Sequence, residues 1–470
     1  MKKGQLTMYK VDFNDPKHAH FIGIGGISMS GLAEILKNAG FTVSGSDMKE
    51  SDTTRILEEK GIKVYIGQVA SNITDDIDFV IYTAAIHEDN EEFCEAKAKG
   101  LPMLTRAEFL GQVMDNYKYS VAVAGTHGKT TTTSMMAHIM LAAKTDPTIS
   151  IGGMLDVIGG NIRVGSSEYF VTEACEYTNS YHEFRPFVSI ILNVDNDHLD
   201  FFKNIENIAS SFATFATKTV DGGALILNGD MRFRDQIRDA VKDKDIKVFT
   251  FGKDDGNDLV AKNITLNELG QPTYDLYING QAKGTVTLSV TGEHNAVNSL
   301  AAIAASLYIG IDLDDIIEGL RKCHSAERRF EYKGRTESGA YIYDDYAHHP
   351  TEIAASMRVA KAVAKEKLWV AFQPHTYSRT KAHLKDFAKS LSSADHVVLA
   401  NIYAAREIDD GTISSRDLEN ELKNLGTDAT YLGDFETIKN YLKKSLNNND
   451  MLITMGAGNI DVVGAQLLEK

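Results

Sequence analysis

The stretch Ala122-Val123-Ala124-Gly125-Thr126-His127-Gly128-Lys129-Thr130-Thr131 decides how this chain is read. It ends an apolar strand that opens at Tyr119 and leads into a helix predicted over Thr130–Ala143. The N–H groups of such a glycine loop cradle phosphates, a lysine at the helix start reaches the β/γ region, and the hydroxyl after it binds magnesium. Val123 stands where GxxxxGK[ST] has its first glycine, so the loop is the tighter GTxGKT form. The pattern predicts a nucleotide triphosphate site at Gly125, Thr126, His127, Gly128, Lys129, Thr130 and Thr131.

A phosphate loop of this kind needs a metal-binding acid elsewhere. Glu173 follows an apolar run, Tyr169–Thr172, and so emerges at a strand's carboxyl end, where α/β sites form. Asn193-Val194-Asp195-Asn196-Asp197-His198 follows the next run, Val188–Asn193, in the same way. His198 beside carboxylates suits a metal ligand oriented by one of them. Asp195, Asp197 and Asp200 read as loop caps or solvated groups.

Toward the N-terminus, His20–Ile24 reads as a strand, and Gly23-Ile24-Gly25-Gly26-Ile27-Ser28 is close to GxGxxG before a helix at Ser30–Ala39. Glycines there let backbone approach a pyrophosphate at a helix start. Asp47 ends the next strand, at the spacing of a ribose-binding acid. The turn alone fits a dinucleotide, another diphosphate, or a ligand-free βα connection.

Toward the C-terminus, Gly292-Glu293-His294-Asn295-Ala296-Val297-Asn298 opens a helix. Asn295 and Asn298 share one face at i, i+3, suited to an adenine edge, although asparagine also caps helices. Arg328 and Arg329 stand at a domain junction, either as phosphate contacts or as an interdomain salt bridge. Asp345 ends a strand, and Gln373–Thr380, with His375 and Arg379, reads as an anion-contacting loop.

Strands alternating with helices predict α/β architecture in three blocks, 1–116, 117–328 and 329–470. The first and third are Rossmann-like; the second combines a parallel sheet with antiparallel hairpins over Leu259–Thr291, marked by Asn279-Gly280. The chain has 470 residues with formal charge −16, which weighs against nucleic acid. Its 3 cysteines are scattered, as expected of a reduced, cytoplasmic chain. No run of about 18 apolar residues predicts membrane insertion, and monomer and homodimer both stay open.

In order along the chain, HFIGIGGISMSGLAEIL, SGSD, AGTHGKTTTT, NVDNDHLD, GEHNAVN, ERRFEYKG, DDYAHHPTE, FQPHTYSRT and GAGNID resemble the Mur ligase family. The likeness spans nearly the whole length. It implies a UDP-substrate domain, a central ATPase domain and a Rossmann-like C-terminal domain that closes on the amino acid. It implies that Gly23, Gly25, Gly26, Ser28 and Asp47 bind the UDP diphosphate side of UDP-N-acetylmuramate, with His375 and Arg379 facing the same substrate. ATP would lie on Lys129 and Thr130, with Mg2+ on Thr130, Glu173 and His198. Asn295 and Asn298 would contact adenine and Asp345 the ribose. Arg328 or Arg329 would join Lys129 and His198 in catalysis.

Two departures stand out. The acidic motif often written EADES reads Glu173-Ala174-Cys175-Glu176-Tyr177, and Thr376 replaces an arginine of QPHRYSRT. Other branches carry a modified lysine about fifteen residues past the metal histidine; here that stretch reads Ser210-Ser211-Phe212-Ala213. Its absence resembles the branch that adds L-alanine. A ligase attaching a whole peptide to the same nucleotide sugar is the alternative.

Overall fold

The computed structural model describes residues 9–469 apart from 84, 268, 325, 326 and 406. The chain forms two compact units: Met1–Val260 with Ile278–Gln281 and Asn298–Gly319, and Ala261–Tyr277 with Ala282–Val297 and Leu320–Lys470.

The first unit begins with strands β1 (His18–Ile22), β2 (Thr42–Asp47), β3 (Lys63–Ile66), β4 (Phe79–Tyr82) and β5 (Met103–Thr105). They pair in parallel in the order β3-β2-β1-β4-β5. A parallel sheet is covered on both faces, so its inner strands read as continuous apolar runs; Phe21, Ile22, Phe79, Val80 and Ile81 are fully buried. The chain direction across the sheet reverses between β1 and β4. The first glycine turn leaves β1 at that switch point, where doubly wound folds bind ligands.

The unit continues with β6 (Tyr119–Ala124), β7 (Thr148–Leu155), β8 (Gly160–Arg163), β9 (Tyr169–Ala174), β10 (Val188–Ile191), β11 (Ala224–Asn228) and β12 (Lys247–Gly252). Their order is β12-β11-β10-β6-β9-β7-β8, parallel except for the antiparallel β7–β8 pair. β6 lies between β9 and β10, so the second glycine loop also leaves a switch point. The two sheets of this unit meet at Gly31, in the Ile27–Asn38 helix: a Cβ there would fall 1.6 Å from Cδ1 of Ile162 on β8. Asn161 Nδ2 also donates to the carbonyl of Ile27 over 3.0 Å.

Strands β13 (Leu259–Leu266), β14 (Pro272–Ile278) and β15 (Gln281–Thr287) follow. The Asn279-Gly280 turn joins β14 to β15, with φ of +50° and +74°, as a two-residue hairpin turn requires.

The second unit carries β16 (Glu331–Arg335), β17 (Tyr341–Asp345), β18 (Leu368–Phe372), β19 (His396–Ala400), β20 (Asp428–Gly433) and β21 (Met451–Met455). Their order is β16-β17-β21-β18-β19-β20, with only β16 antiparallel. Side chains alternate strictly along β18. Leu368, Val370 and Phe372 enter one apolar cluster, and Trp369 and Ala371 the other. Burying each of the large side chains contributes roughly 1.5–3 kcal/mol, which fixes the register.

Predicted elements recur with ends shifted. The first helix starts at Ile27, the phosphate-loop helix runs Lys129–Ala142, and the strand expected from Phe41 runs Thr42–Asp47. Strands β3, β7, β8, β16 and β20 were not predicted. β3, β8 and β20 lie at sheet margins, where polar residues dilute the apolar pattern. β7 carries Gly152-Gly153 in mid-strand, which hides it from propensity reasoning.

Candidate active site

The second glycine loop is held by its neighbours in the first unit. Gly128 caps the Lys129–Ala142 helix at φ +86°, and a Cβ there would sit 2.9 Å from Asn298 Nδ2. The backbone N–H of His127 donates to Asn193 Oδ1 (2.8 Å), and Asn193 Nδ2 donates to the His127 carbonyl (2.9 Å). Asp195 N–H donates to Thr126 Oγ1 over 3.0 Å. The segment after β10 thus sets the shape of the loop, and the His127 N–H serves that geometry.

Lys129 curls over the loop: its ammonium donates to the carbonyls of Gly125 (2.6 Å) and Thr126 (3.1 Å) and to Glu176 Oε2 (2.9 Å). Glu176 is 1% exposed. Burial alone lowers the ammonium's pKa, but the Glu176 carboxylate, with smaller help from Cys175 and Glu173, overrides it and raises the value. Lys129 is therefore firmly cationic.

Thr130 Oγ1 donates to Glu173 Oε2 over 3.2 Å, and Glu173 Oε1 accepts from Gly152 N–H at 2.7 Å. Val123 and Glu173 are paired in register across β6 and β9, which brings acid and hydroxyl together. Oε1 of Glu176 is buried without a hydrogen-bond partner. Hydroxyl and carboxylate oxygens of this kind suit a small hard cation such as magnesium. His198 sits in the left-handed region (φ +51°, ψ +40°), its N–H on Asp197 Oδ1 (2.7 Å) and its ring 4.6 Å from that of Tyr177. It forms no direct bond with Glu173.

In the first glycine turn, Gly25 N–H donates to Asp47 Oδ2 over 2.9 Å. Asp47, expected as a substrate contact, also braces the turn from β2. Ser28 stands in the first turn of the Ile27–Asn38 helix, which no side chain caps.

In the second unit, Arg328 is spent on internal contacts. Nε donates to Asp344 Oδ2, Nη1 to the Gly458 carbonyl and Nη2 to the Gly456 carbonyl, each over 2.8 Å. It ties β17 to the last glycine turn. The Arg329 guanidinium lies 5.3 Å from the Tyr346 ring centre.

Asp345 is 4% exposed and accepts from Ala347 N–H (2.9 Å) and Ser356 Oγ (2.5 Å). Burial pushes its pKa up to about 6 against those bonds and Arg329.

Arg379 Nη1 donates to His375 Nδ1 over 3.1 Å, and the His375 ring stacks on Tyr403 with centres 5.5 Å apart. Thr376, in place of the family's arginine, caps the short helix Tyr377–Ala382 through Arg379 N–H (3.4 Å). Asn295 Nδ2 donates to the Thr291 carbonyl over 2.7 Å, as a helix-start residue does, while Asn298 faces the phosphate loop.

Three residues escaped the sequence reading. Glu176 is the partner of Lys129, signalled only as one more acid in the Glu173 loop. Arg106, on Ser28, is a cation just after a strand end. Tyr403, on His375, carried no signal.

A glycine loop at the head of a helix, flanked by a hydroxyl–carboxylate pair, places the chain among α/β proteins that hold a nucleotide's phosphates. Residues 18–118 match the model "Mur ligase family, catalytic domain", 123–306 "Mur ligase middle domain", and 328–458 "Mur ligase, glutamate ligase domain". The chain is 56% identical to the UDP-N-acetylmuramate--L-alanine ligase of Agathobacter rectalis, over 98% of this chain and 100% of that one. It is 55% identical to the enzyme of the same name from Lachnospira eligens, again over 98% and 100%. The crystal structure of UDP-N-acetylmuramate-alanine ligase from Thermotoga maritima superposes with a TM-score of 0.77 at 29% identity, covering 96% of this chain and 98% of that one. The chain belongs to the Mur ligase family.

Proposed function

We infer that the chain ligates L-alanine to the lactyl carboxylate of UDP-N-acetylmuramate, using ATP and releasing ADP and phosphate. The observation that carries this reading is the Lys129–Thr130–Glu173 arrangement in a chain that matches alanine-adding ligases along its whole length. The peptide-attaching alternative has weaker support: a murein peptide ligase from Psychrobacter arcticus shares the fold at 24% identity.

A carboxylate is a poor electrophile, so the amide must be made through activation. The lactyl carboxylate attacks the γ-phosphorus of ATP, an acyl phosphate forms and ADP leaves. The amine of alanine then attacks the acyl carbon and phosphate departs. Lys129 stabilises charge on the phosphoryl group in flight, and the N–H groups at the start of the Lys129–Ala142 helix orient it. Thr130, Glu173 and His198 would hold Mg2+, which neutralises phosphate charge when bound. Gly125, Thr126, His127, Gly128 and Thr131 shape the ATP loop, Asn295 and Asn298 are assigned to adenine, and Asp345 to the ribose. Arg329 is assigned to the phosphates, with Arg328 holding the glycine turn beside it. Gly23, Gly25, Gly26, Ser28 and Asp47 form the turn for the UDP diphosphate, and His375 and Arg379 face the remainder of that substrate. The blocks 1–116, 117–328 and 329–470 then correspond to substrate, ATP and amino-acid domains. We place the reaction in the cytoplasm, which supplies ATP; among the described residues no helix is long and apolar enough to cross a membrane.

ADP release measured with UDP-N-acetylmuramate and a panel of amines tests the reading. Turnover with L-alanine and none with a free tripeptide is expected. The reverse preference would replace this reading by the peptide-attaching one.

A further inference from the structure

The first glycine turn is short of donors. The N–H groups of Gly23 and Ile24 donate to the Ser46 carbonyl (2.9 Å each), that of Gly25 to Asp47, and that of Gly26 to the Gly23 carbonyl (3.3 Å). A diphosphate arriving here meets a turn whose own backbone is engaged. Recognition has to come from the start of the Ile27–Asn38 helix and from nearby side chains. That helix start is open, with Gly26 and Ile27 exposed and no capping side chain.

Arg106 supplies what the turn lacks. It opens the Arg106–Met114 helix directly after β5, on the same carboxyl edge of the sheet as the turn leaving β1. Its Nη1 donates to Ser28 Oγ over 3.2 Å, and among the described residues its guanidinium forms no ion pair. Burial lowers its pKa, opposed by the neighbouring Cys175. A guanidinium drawn out of water without a carboxylate is costly. Setting it beside a helix N-terminus, which already carries partial positive charge, adds to that cost. Both costs reverse when an anion occupies the space between them.

We propose that Arg106 is a substrate-binding residue that grips the diphosphate of the nucleotide sugar together with Ser28 and the helix start. The proposal rests on the assignment of the first glycine turn to that substrate. Fork-shaped donation by arginine suits a diphosphate better than a lysine would.

The test compares wild type, Arg106→Ala and Arg106→Lys. Calorimetric titration with UDP is set beside KM for UDP-N-acetylmuramate, KM for ATP and the melting temperature. In Arg106→Ala, affinity for UDP and for the UDP-sugar should fall in parallel by roughly 10–100-fold, with Arg106→Lys recovering part of the loss. KM for ATP should stay within about twofold. The melting temperature should hold or rise, because an uncompensated cation has been removed. UDP affinity unchanged in Arg106→Ala overturns the proposal. So does a loss confined to UDP-N-acetylmuramate, which moves the contact to the lactyl carboxylate, or a melting temperature that falls along with both affinities. If wild type itself binds neither UDP nor the UDP-sugar, the assignment of the turn fails and this inference falls with it, a result distinguishable from failure of the variant alone.

Discussion

The ammonium of Lys129 lies 2.9 Å from the carboxylate of Glu176, which is 1% exposed. This pair holds the phosphate-loop lysine folded over its own loop, on the carbonyls of Gly125 and Thr126. Phosphate oxygens would draw the ammonium from those carbonyls. The carboxylate holds it near the helix start and raises its pKa.

Glu176→Gln should therefore do two separable things. Breaking a buried ion pair by removing one partner costs about 3 kcal/mol, seen as a lower denaturation midpoint. With Lys129 less well placed, kcat should fall while KM for UDP-N-acetylmuramate changes little. A double-mutant cycle with Lys129→Met should show a stability coupling of at least about 1 kcal/mol; additive losses would mean that the two groups act independently.

Gly31→Ala should destabilise the first unit, because the new Cβ would fall 1.6 Å from Ile162 Cδ1. Overpacking of this kind costs about 1–3 kcal/mol. Adding Ile162→Ala should recover part of the loss. Failure of that rescue in chemical denaturation would show that the Ile162 contact is not what excludes a side chain at Gly31.

Asp345 gives the protein a titrating group of defined sign. Burial holds its pKa at about 6 in the fold against an ordinary value of 3.8, so folding favours its protonated form. Its contribution to stability is complete below about pH 4 and is lost as pH rises through about 6, amounting to about 3 kcal/mol. In Asp345→Asn the lost hydrogen bonding is a constant offset. The melting temperature of the variant relative to wild type should therefore climb between about pH 4 and pH 6.5. A flat difference across that window would contradict the buried, raised carboxylate.

The two glycine turns and the parallel strands behind them were legible because a βα phosphate turn is contiguous in sequence. Strand, glycines, lysine and helix all fall between Tyr119 and Ala142. Glu173 was legible because β9 announces its own end. Glu176, Arg106 and Tyr403 were not, since each matters through a residue distant in the chain: Lys129, Ser28 and His375. The internal contacts of Arg328 were hidden for the same reason, because the carbonyls that occupy it belong to Gly456 and Gly458. The strands that escaped notice include margin strands such as β3 and β20, where a half-exposed strand loses its apolar signature.

In the proposed reaction the Lys129 loop drives transfer of the γ-phosphoryl group to a substrate carboxylate before any amine attacks. The direct measurement uses UDP-N-acetylmuramate labelled with oxygen-18 in its lactyl carboxylate, turned over with ATP and L-alanine, and analyses the released phosphate by mass spectrometry. One labelled oxygen should appear in each phosphate, and Lys129→Ala should slow its appearance by roughly 10²–10⁵-fold. Phosphate released without label while the amide forms would rule out an acyl phosphate intermediate.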